Sequence, residues 1–171
     1  MFSKKIEINL EKPDDIIHLE PISDIHIGHA GFDEEHYKKR IKAISKDKNR
    51  YTFFGGDALD AITTYDKRFN PDMSLEHDID NQRLRWQNLS QKLFDIHAEQ
   101  KNEKVWGFFH GNHDYKIPQI SKAYLQNTMC TPNDLTFMGS RGVMGLEVKY
   151  NRKVLAQWSI LFMHGSGGGK P

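Results

Sequence analysis

Charged and apolar residues alternate over positions 5–10, KIEINL, which is the two-residue period of a strand with one face in a core. A denser apolar run at 16–22, broken by Pro21, predicts a second strand, and it ends at SDIHIGH. Over 33–46 the period lengthens. Tyr37, Ile41 and Ile44 fall on one helical face, and acidic residues occupy the first turn, where the helix dipole favours them. YTFF at 51–54 predicts a strand that runs into GGDALD. Across 74–100, Ile79, Leu84, Trp86, Leu89, Leu93 and Ile96 recur at helical intervals with no internal Gly or Pro, which predicts one long helix or a helical pair. A third strong apolar strand at 105–110 leads directly into GNHD. The segment 120–129 reads as helix, and 135–138, 143–150 and 154–163 read as short strands, the last ending at HGSGGGK. No repeat, low-complexity tract or linker divides the chain, so the pattern predicts one α/β domain over 1–171.

Four of the apolar runs stop at a small cluster of Asp, His, Asn and Gly: SDIHIGH, FFGGDALD, FFHGNHD and FMHG. In sheets flanked by helices, ligands bind beyond the carboxyl ends of the strands, where loops from distant parts of the chain meet. The four clusters are therefore expected to form one site.

Composition narrows what that site can serve. The chain has 171 residues, 37% of them hydrophobic, enough for one core. Its 24 basic and 23 acidic residues give a net charge of +1, which excludes a broad field that would hold a polyanion, so any contact with nucleic acid must be local. The single cysteine, Cys130, excludes an internal disulfide framework. No run approaches the roughly 18 apolar residues of a membrane span, and the N-terminus lacks the apolar core of a secretory signal. These features predict a cytoplasmic protein without a membrane partner.

Asp24, His26, Asp57, Asn112 and His164 offer carboxylate, imidazole and amide-oxygen donors. That mixture suits manganese, iron, zinc or nickel better than calcium, which takes oxygen ligands only. Five donors exceed the roughly three protein ligands of an open zinc site, which points to two divalent ions sharing a carboxylate. His113, directly after Asn112, is placed to protonate a leaving-group oxygen. Each piece has a plainer reading. Asp24 and His26 fit a strand-end cap, Asp57 a helix N-cap, GNHD a turn, and His164 a satisfied strand-end histidine. Their occurrence in order, each at a strand mouth, argues against four separate accidents. His29 and His110 adjoin the clusters and are candidate substrate contacts, whereas His18, His36, His77 and His97 read as surface or helix residues, and the methionines as core filler. HGSGGGK does not fit a phosphate-binding Walker loop, which needs Gly at His164 and Ser or Thr at Pro171.

At these residues the chain resembles the calcineurin-like metallophosphoesterase superfamily, whose signature runs D-x-H, G-D-x-x-D, G-N-H-[DE], a strand-end His and G-H-x-H. The first four appear as Asp24-Ile-His26, Gly56-Asp57-Ala-Leu-Asp60, Gly111-Asn112-His113-Asp114 and His164-Gly165, and the Gly-rich run is similar to that of phage and bacterial members. The resemblance implies that Asp24 and His26 bind one metal, that Asp57 bridges, and that Asn112 and His164 bind the other. It makes His113 the general acid, with Asp60 orienting it and Asp114 assisting. It implies an α/β/β/α sandwich of two mixed sheets flanked by helices, and a hydrolase in which metal-bridging hydroxide attacks a phosphomonoester or phosphodiester. A nucleotide or a short nucleic-acid end is among the possible substrates, and manganese is the first choice of ion. The fifth motif does not occur before Pro171. The resemblance then predicts a domain incomplete at its C-terminus, with each metal short of one His and weakly retained. The rival reading is a phosphoesterase fold without catalysis that serves as a binding or scaffolding module. The presence of both Asp60 and His113 favours the enzyme.

Overall fold

The computed structural model describes residues 2–100, 103–115 and 122–165. Among these residues seven strands and two long helices carry the architecture. The strands are β1 (Phe2–Asn9), β2 (His18–Leu19), β3 (Arg50–Phe54), β4 (Val105–Phe109), β5 (Phe137–Gly139), β6 (Arg141–Tyr150) and β7 (Lys153–Met163). The long helices are α1 (Glu34–Lys46) and α2 (Ile79–Glu99), and two short ones follow, α3 (Asn112–Tyr115) and α4 (Lys122–Leu125). A π-turn, Gln126–Cys130, and a 3-10 turn, Thr131–Asn133, lead from α4 towards β5.

The strands form two sheets. One is mixed, in the order β1-β6-β7, with β1 parallel to β6 and β7 antiparallel to it. The other, β2-β3-β4-β5, is parallel throughout, where two mixed sheets are expected from the sequence. Side-chain alternation sets the layers. Tyr51 and Phe53 of β3, with Trp106 and Phe109 of β4, pack against Ile6, Ile8, Met144, Leu146 and Val148 of the mixed sheet. Phe54, Val105 and Phe108 point the other way, onto Tyr37, Ile41 and Ile44 of α1 and Trp86, Leu93 and Phe94 of α2. Helices thus cover one face of the parallel sheet, and its other face packs on the mixed sheet. Among the described residues no helix covers the outer face of the mixed sheet, and Leu155, Trp158 and Leu161 of β7 stand exposed.

Local chemistry explains where the elements begin and end. Asp33 caps α1 by accepting from the His36 N–H at 2.9 Å, and Asp78 caps α2 by accepting from the Asn81 N–H at 3.0 Å. The buried stripe of α2 runs through Gln82, Trp86, Ser90, Leu93, Phe94 and His97. Leu84, counted on that face from the apolar pattern, is exposed. Strand β2 is shorter than the 16–22 run predicts, but the N–H groups of His18, Glu20 and Ile22 each still bond to the β3 side at 2.9–3.0 Å. Pro21 takes the alternate position on the free edge, where its missing N–H is harmless. Thr52 pairs with Val105 and Phe54 with Phe108, so β4 holds one extra residue, a bulge just before its site-bearing end. Asn151 and Arg152, at φ 47° and 65°, make the two-residue turn between β6 and β7. The segment 120–129 is helical where described, although residues 120 and 121 lie outside the described residues.

Candidate metal centre

Every strand-end cluster lies at the same end of the molecule. The backbone after β2 runs beside the backbone after β3: the Asp24 N–H donates to the Gly56 carbonyl at 3.1 Å, the His26 N–H to Asp57 at 3.0 Å and the Ile27 N–H to Ala58 at 3.1 Å. Asp24, His26 and Asp57 adopt φ values of 54°, 51° and 50°. Left-handed backbone at a non-glycine residue costs of order 1–3 kcal/mol and collects at functional sites. Here it turns three donor side chains towards one another, and one ligand atom from each lies within 4.8 Å of the other two.

The third cluster closes on the second. Gly56, at φ 101°, leaves no space for a side chain, because a Cβ there would stand 2.6 Å from the Gly111 nitrogen. A Cβ on Gly111 would stand 2.0 Å from Asp57 Oδ1. Through this gap Asp114 fastens both loops, its Oδ2 accepting the Asp57 N–H at 2.9 Å and the Gly111 N–H at 2.8 Å. The His113 N–H donates to Asp57 Oδ1 at 2.8 Å. Asp57 Oδ1 is thereby held, and Oδ2 is left facing the site.

Towards that oxygen point the remaining donors. His164 donates Nδ1–H to the Gly55 carbonyl at 2.8 Å, which turns its Nε2 to within 3.2 Å of both Asp57 Oδ2 and Asn112 Oδ1. A histidine whose Nδ1 is tied to a carbonyl and whose Nε2 faces acceptors is oriented as metal-binding histidines are. Three lone-pair atoms converging in this way require a proton or a cation between them. His26 Nε2 lies 3.9 Å from Asp57 Oδ2. Ser23, Asp24, Asn112, Phe162, Met163, His164 and Gly165 line a cleft of about 350 Å³ that opens this corner to solvent.

The second acidic residue of GDALD serves a different pair. Asp60 is 1% exposed, and among the described residues neither carboxyl oxygen has a hydrogen-bond partner. Its Oδ1 lies 3.7 Å from His26 Nδ1 and 3.7 Å from His113 Nδ1. His113 Nδ1–H donates instead to the Asp60 main-chain carbonyl at 2.7 Å, so the residue orients His113 through its backbone. His26, Asp60 and His113 form a second group whose donor atoms lie within 4.8 Å of one another. A buried carboxylate without hydrogen-bond partners is expensive unless a cation offsets it.

Titration follows this crowding of acids. Burial of the His26 ring opposes its protonation, but the nearby Asp60 carboxylate and the charges of Asp57 and Asp24 outweigh it, and the pKa rises above the usual value. Burial pushes Asp114 up to about 6 against the pull of the N–H groups of Gly111 and Asp57, and the Asp57 charge adds to the rise.

The structure brings together all seven residues singled out from the sequence: Asp24, His26, Asp57, Asp60, Asn112, His113 and His164. His29 stands at the margin, its ring 6.5 Å from that of His26 and its Nδ1 accepting from the Gly31 N–H. His110 is buried and stacks on Phe137, so it belongs to the core side of the strand end. The Gly-rich run from residue 166 lies outside the described residues. Asp114 has a larger part than the assisting one expected, as the clamp between loops. Its signal was the fourth position of GNHD, two residues past the first donor of that motif. Scans of the chain against protein-family models, curated proteins and solved structures return no match.

Proposed function

We propose that this chain is a metal-dependent phosphoesterase of calcineurin-like type. What supports the reading above all is the grouping of Asp24, His26, Asn112 and His164 around Asp57, each at a strand end, with Asp24, His26 and Asp57 in left-handed backbone. In this reading Asp24 and His26 would hold one ion and Asn112 and His164 a second, with the Asp57 carboxylate serving both. The proposal extends to the fold: the helices, the parallel sheet and the mixed sheet are three layers of an α/β/β/α sandwich. Two divalent ions, manganese first among iron, zinc and nickel, would lower the pKa of a bound water towards neutrality and neutralise phosphoryl oxygens. The residues do the rest. His113, its Nδ1–H fixed on the Asp60 carbonyl, carries a proton at Nε2 for the leaving oxygen. The buried Asp60 carboxylate lies 3.7 Å from the Nδ1 of both His26 and His113, next to the ring that donates that proton. Asp114 keeps the Asp57 and Asn112 loops in register.

The test is hydrolysis of bis(p-nitrophenyl) phosphate in manganese by the wild type and by His113→Ala. The reading predicts turnover that EDTA abolishes and that the substitution lowers by roughly 10²–10⁴-fold, the usual contribution of a general acid. Saturation with metal and no turnover on this diester or on p-nitrophenyl phosphate would instead favour a metal-binding module without catalysis.

A further inference from the structure

Asp60 has two groups that can act on the rings beside it, its main-chain carbonyl and its carboxylate. The backbone is fixed first. The Asp60 N–H donates to the carbonyl of Ile27, the residue after His26, at 2.9 Å, and the Ala61 N–H donates to Gln82 Oε1 at 2.9 Å. Ala61 itself is left-handed, at φ 55°, which is the kind of strained backbone that collects at functional sites. Held in this way, the Asp60 carboxylate lies 3.7 Å from a nitrogen of each of two rings, those of His26 and His113. The two rings meet edge to face, with centroids 4.5 Å apart and planes at 79°.

Counting hydrogens decides which ring the carboxylate serves. His113 Nδ1 gives its hydrogen to the Asp60 carbonyl at 2.7 Å. A ring nitrogen carries only one, so His113 has none left on that side for the carboxylate. His26 is the opposite case. Its Nε2 faces Asp57 Oδ2, 3.9 Å away, and can offer a lone pair to a cation only if the hydrogen of the neutral ring sits on Nδ1. Asp60 Oδ1 faces that nitrogen. Both oxygens of this buried carboxylate lack a hydrogen-bond partner among the described residues, so accepting that hydrogen would also relieve the cost of burying it. A further cation among His26, Asp60 and His113 fits less well, because His113 Nδ1 has no lone pair to give while it donates to the carbonyl.

We propose that Asp60 is a positioning residue for His26: its carboxylate accepts the His26 Nδ1–H, which fixes the tautomer, aims Nε2 at the metal centre and makes that nitrogen a stronger ligand. A gap of 3.7 Å is longer than a hydrogen bond, so the contact closes when Nε2 is engaged. The inference rests on the metal-centre part of the phosphoesterase reading, because it takes His26 as a ligand. It departs from the role that the resemblance gives this carboxylate, which is to orient His113. One residue then sets both rings, His113 through its carbonyl and His26 through its side chain.

The experiment is calorimetric titration with zinc of the wild type, Asp60→Asn and Asp60→Ala, repeated with each Asp60 substitution combined with His26→Ala and with His113→Ala. Asp60→Ala is expected to weaken zinc binding about 10–100-fold, the usual loss when the outer partner of a metal-binding histidine is removed. Asp60→Asn, which keeps an acceptor without the charge, is expected to lose less. The same losses appear with His113→Ala, and no further loss appears with His26→Ala. Zinc is diamagnetic, so ¹⁵N NMR of the loaded wild type reads the ring directly, with His26 protonated at Nδ1 and metal-bound at Nε2. That spectrum decides the case even where a substitution fails to fold. Unchanged affinity in both Asp60 variants, an equal loss in all three backgrounds, a loss that disappears with His113→Ala, or zinc on Nδ1 of His26 would each overturn the proposal while leaving the phosphoesterase reading intact. Absence of saturable zinc binding by the wild type would overturn both.

Discussion

Replacing Asp114 by Asn isolates the charge of the clamp from its shape. The carboxyl is buried, accepts two backbone N–H groups through Oδ2, and leaves Oδ1 unpartnered. Its pKa stands at about 6 against an ordinary 3.8, a difference that corresponds to about 3 kcal/mol. The native state binds this proton more tightly than the unfolded chain does. The stabilisation is therefore complete below about pH 4 and is lost as pH rises through 6. Asparagine keeps an acceptor for both N–H groups and removes the buried charge, but it leaves an amide N–H₂ group in place of Oδ1, which offsets part of the gain. In EDTA at pH 7.5 the Asn variant is expected to be more stable than the wild type by about 1–3 kcal/mol, with the advantage falling below about 1 kcal/mol at pH 4. Alanine at the same position leaves two buried donors unpaired, at about 1–3 kcal/mol each, and is expected to be the least stable of the three at pH 4. Urea unfolding at the two pH values measures all of this. An Asn variant with the same advantage at pH 4 as at pH 7.5, or an Ala variant as stable as the Asn variant, would refute the assignment of Asp114 as a charged clamp between the loops.

Gly111→Ala places a methyl group 2.0 Å from Asp57 Oδ1 and is expected to lower stability by at least about 1–3 kcal/mol and to abolish metal uptake; an unchanged melting temperature would show that the loops can part. His97 accepts the Val105 N–H at Nδ1, 3.0 Å away, and donates Nε2–H to the Asp134 carbonyl, so His97→Ala should cost about 2–4 kcal/mol in denaturant unfolding. Burial lowers the His97 pKa, which makes its contribution full above about pH 6.5 and lost as pH falls. His97→Gln should therefore lose less stability than the wild type between pH 7 and 5.

The candidate site was legible because each of its parts is a short contiguous string at the end of an apolar run, and strand order does the rest. Asp24, Asp57, Asn112 and His164 needed no knowledge of long-range packing to be named, only the expectation that strand ends converge. What hydrophobic periodicity could not reveal were polar residues buried by distant partners. Gln82, Ser90 and His97 all lie on the inner stripe of α2, each satisfied by a group from another element, Ala61, Tyr37 and Val105. The apolar pattern placed Leu84 there instead. The extra residue in β4 is equally silent, since a bulge shows only when the partner strand is known. Loop 63–74 carries no periodicity at all, and its return to the His26 side rests on backbone bonds of Ala30 and Leu75 that only the fold reveals.

The central claim of the proposed function is that Asp57 would serve two cations at once. Its most direct test is titration of the chain with manganese, followed by electron paramagnetic resonance, for the wild type, Asp24→Asn, His164→Ala and Asp57→Asn. Saturable binding of two ions with a spin-coupled spectrum in the wild type, one uncoupled ion in the Asp24 and His164 variants, and loss of coupled binding in Asp57→Asn is the predicted result. Binding to the wild type that Asp57→Asn leaves unchanged, or no saturable binding at all, would contradict it.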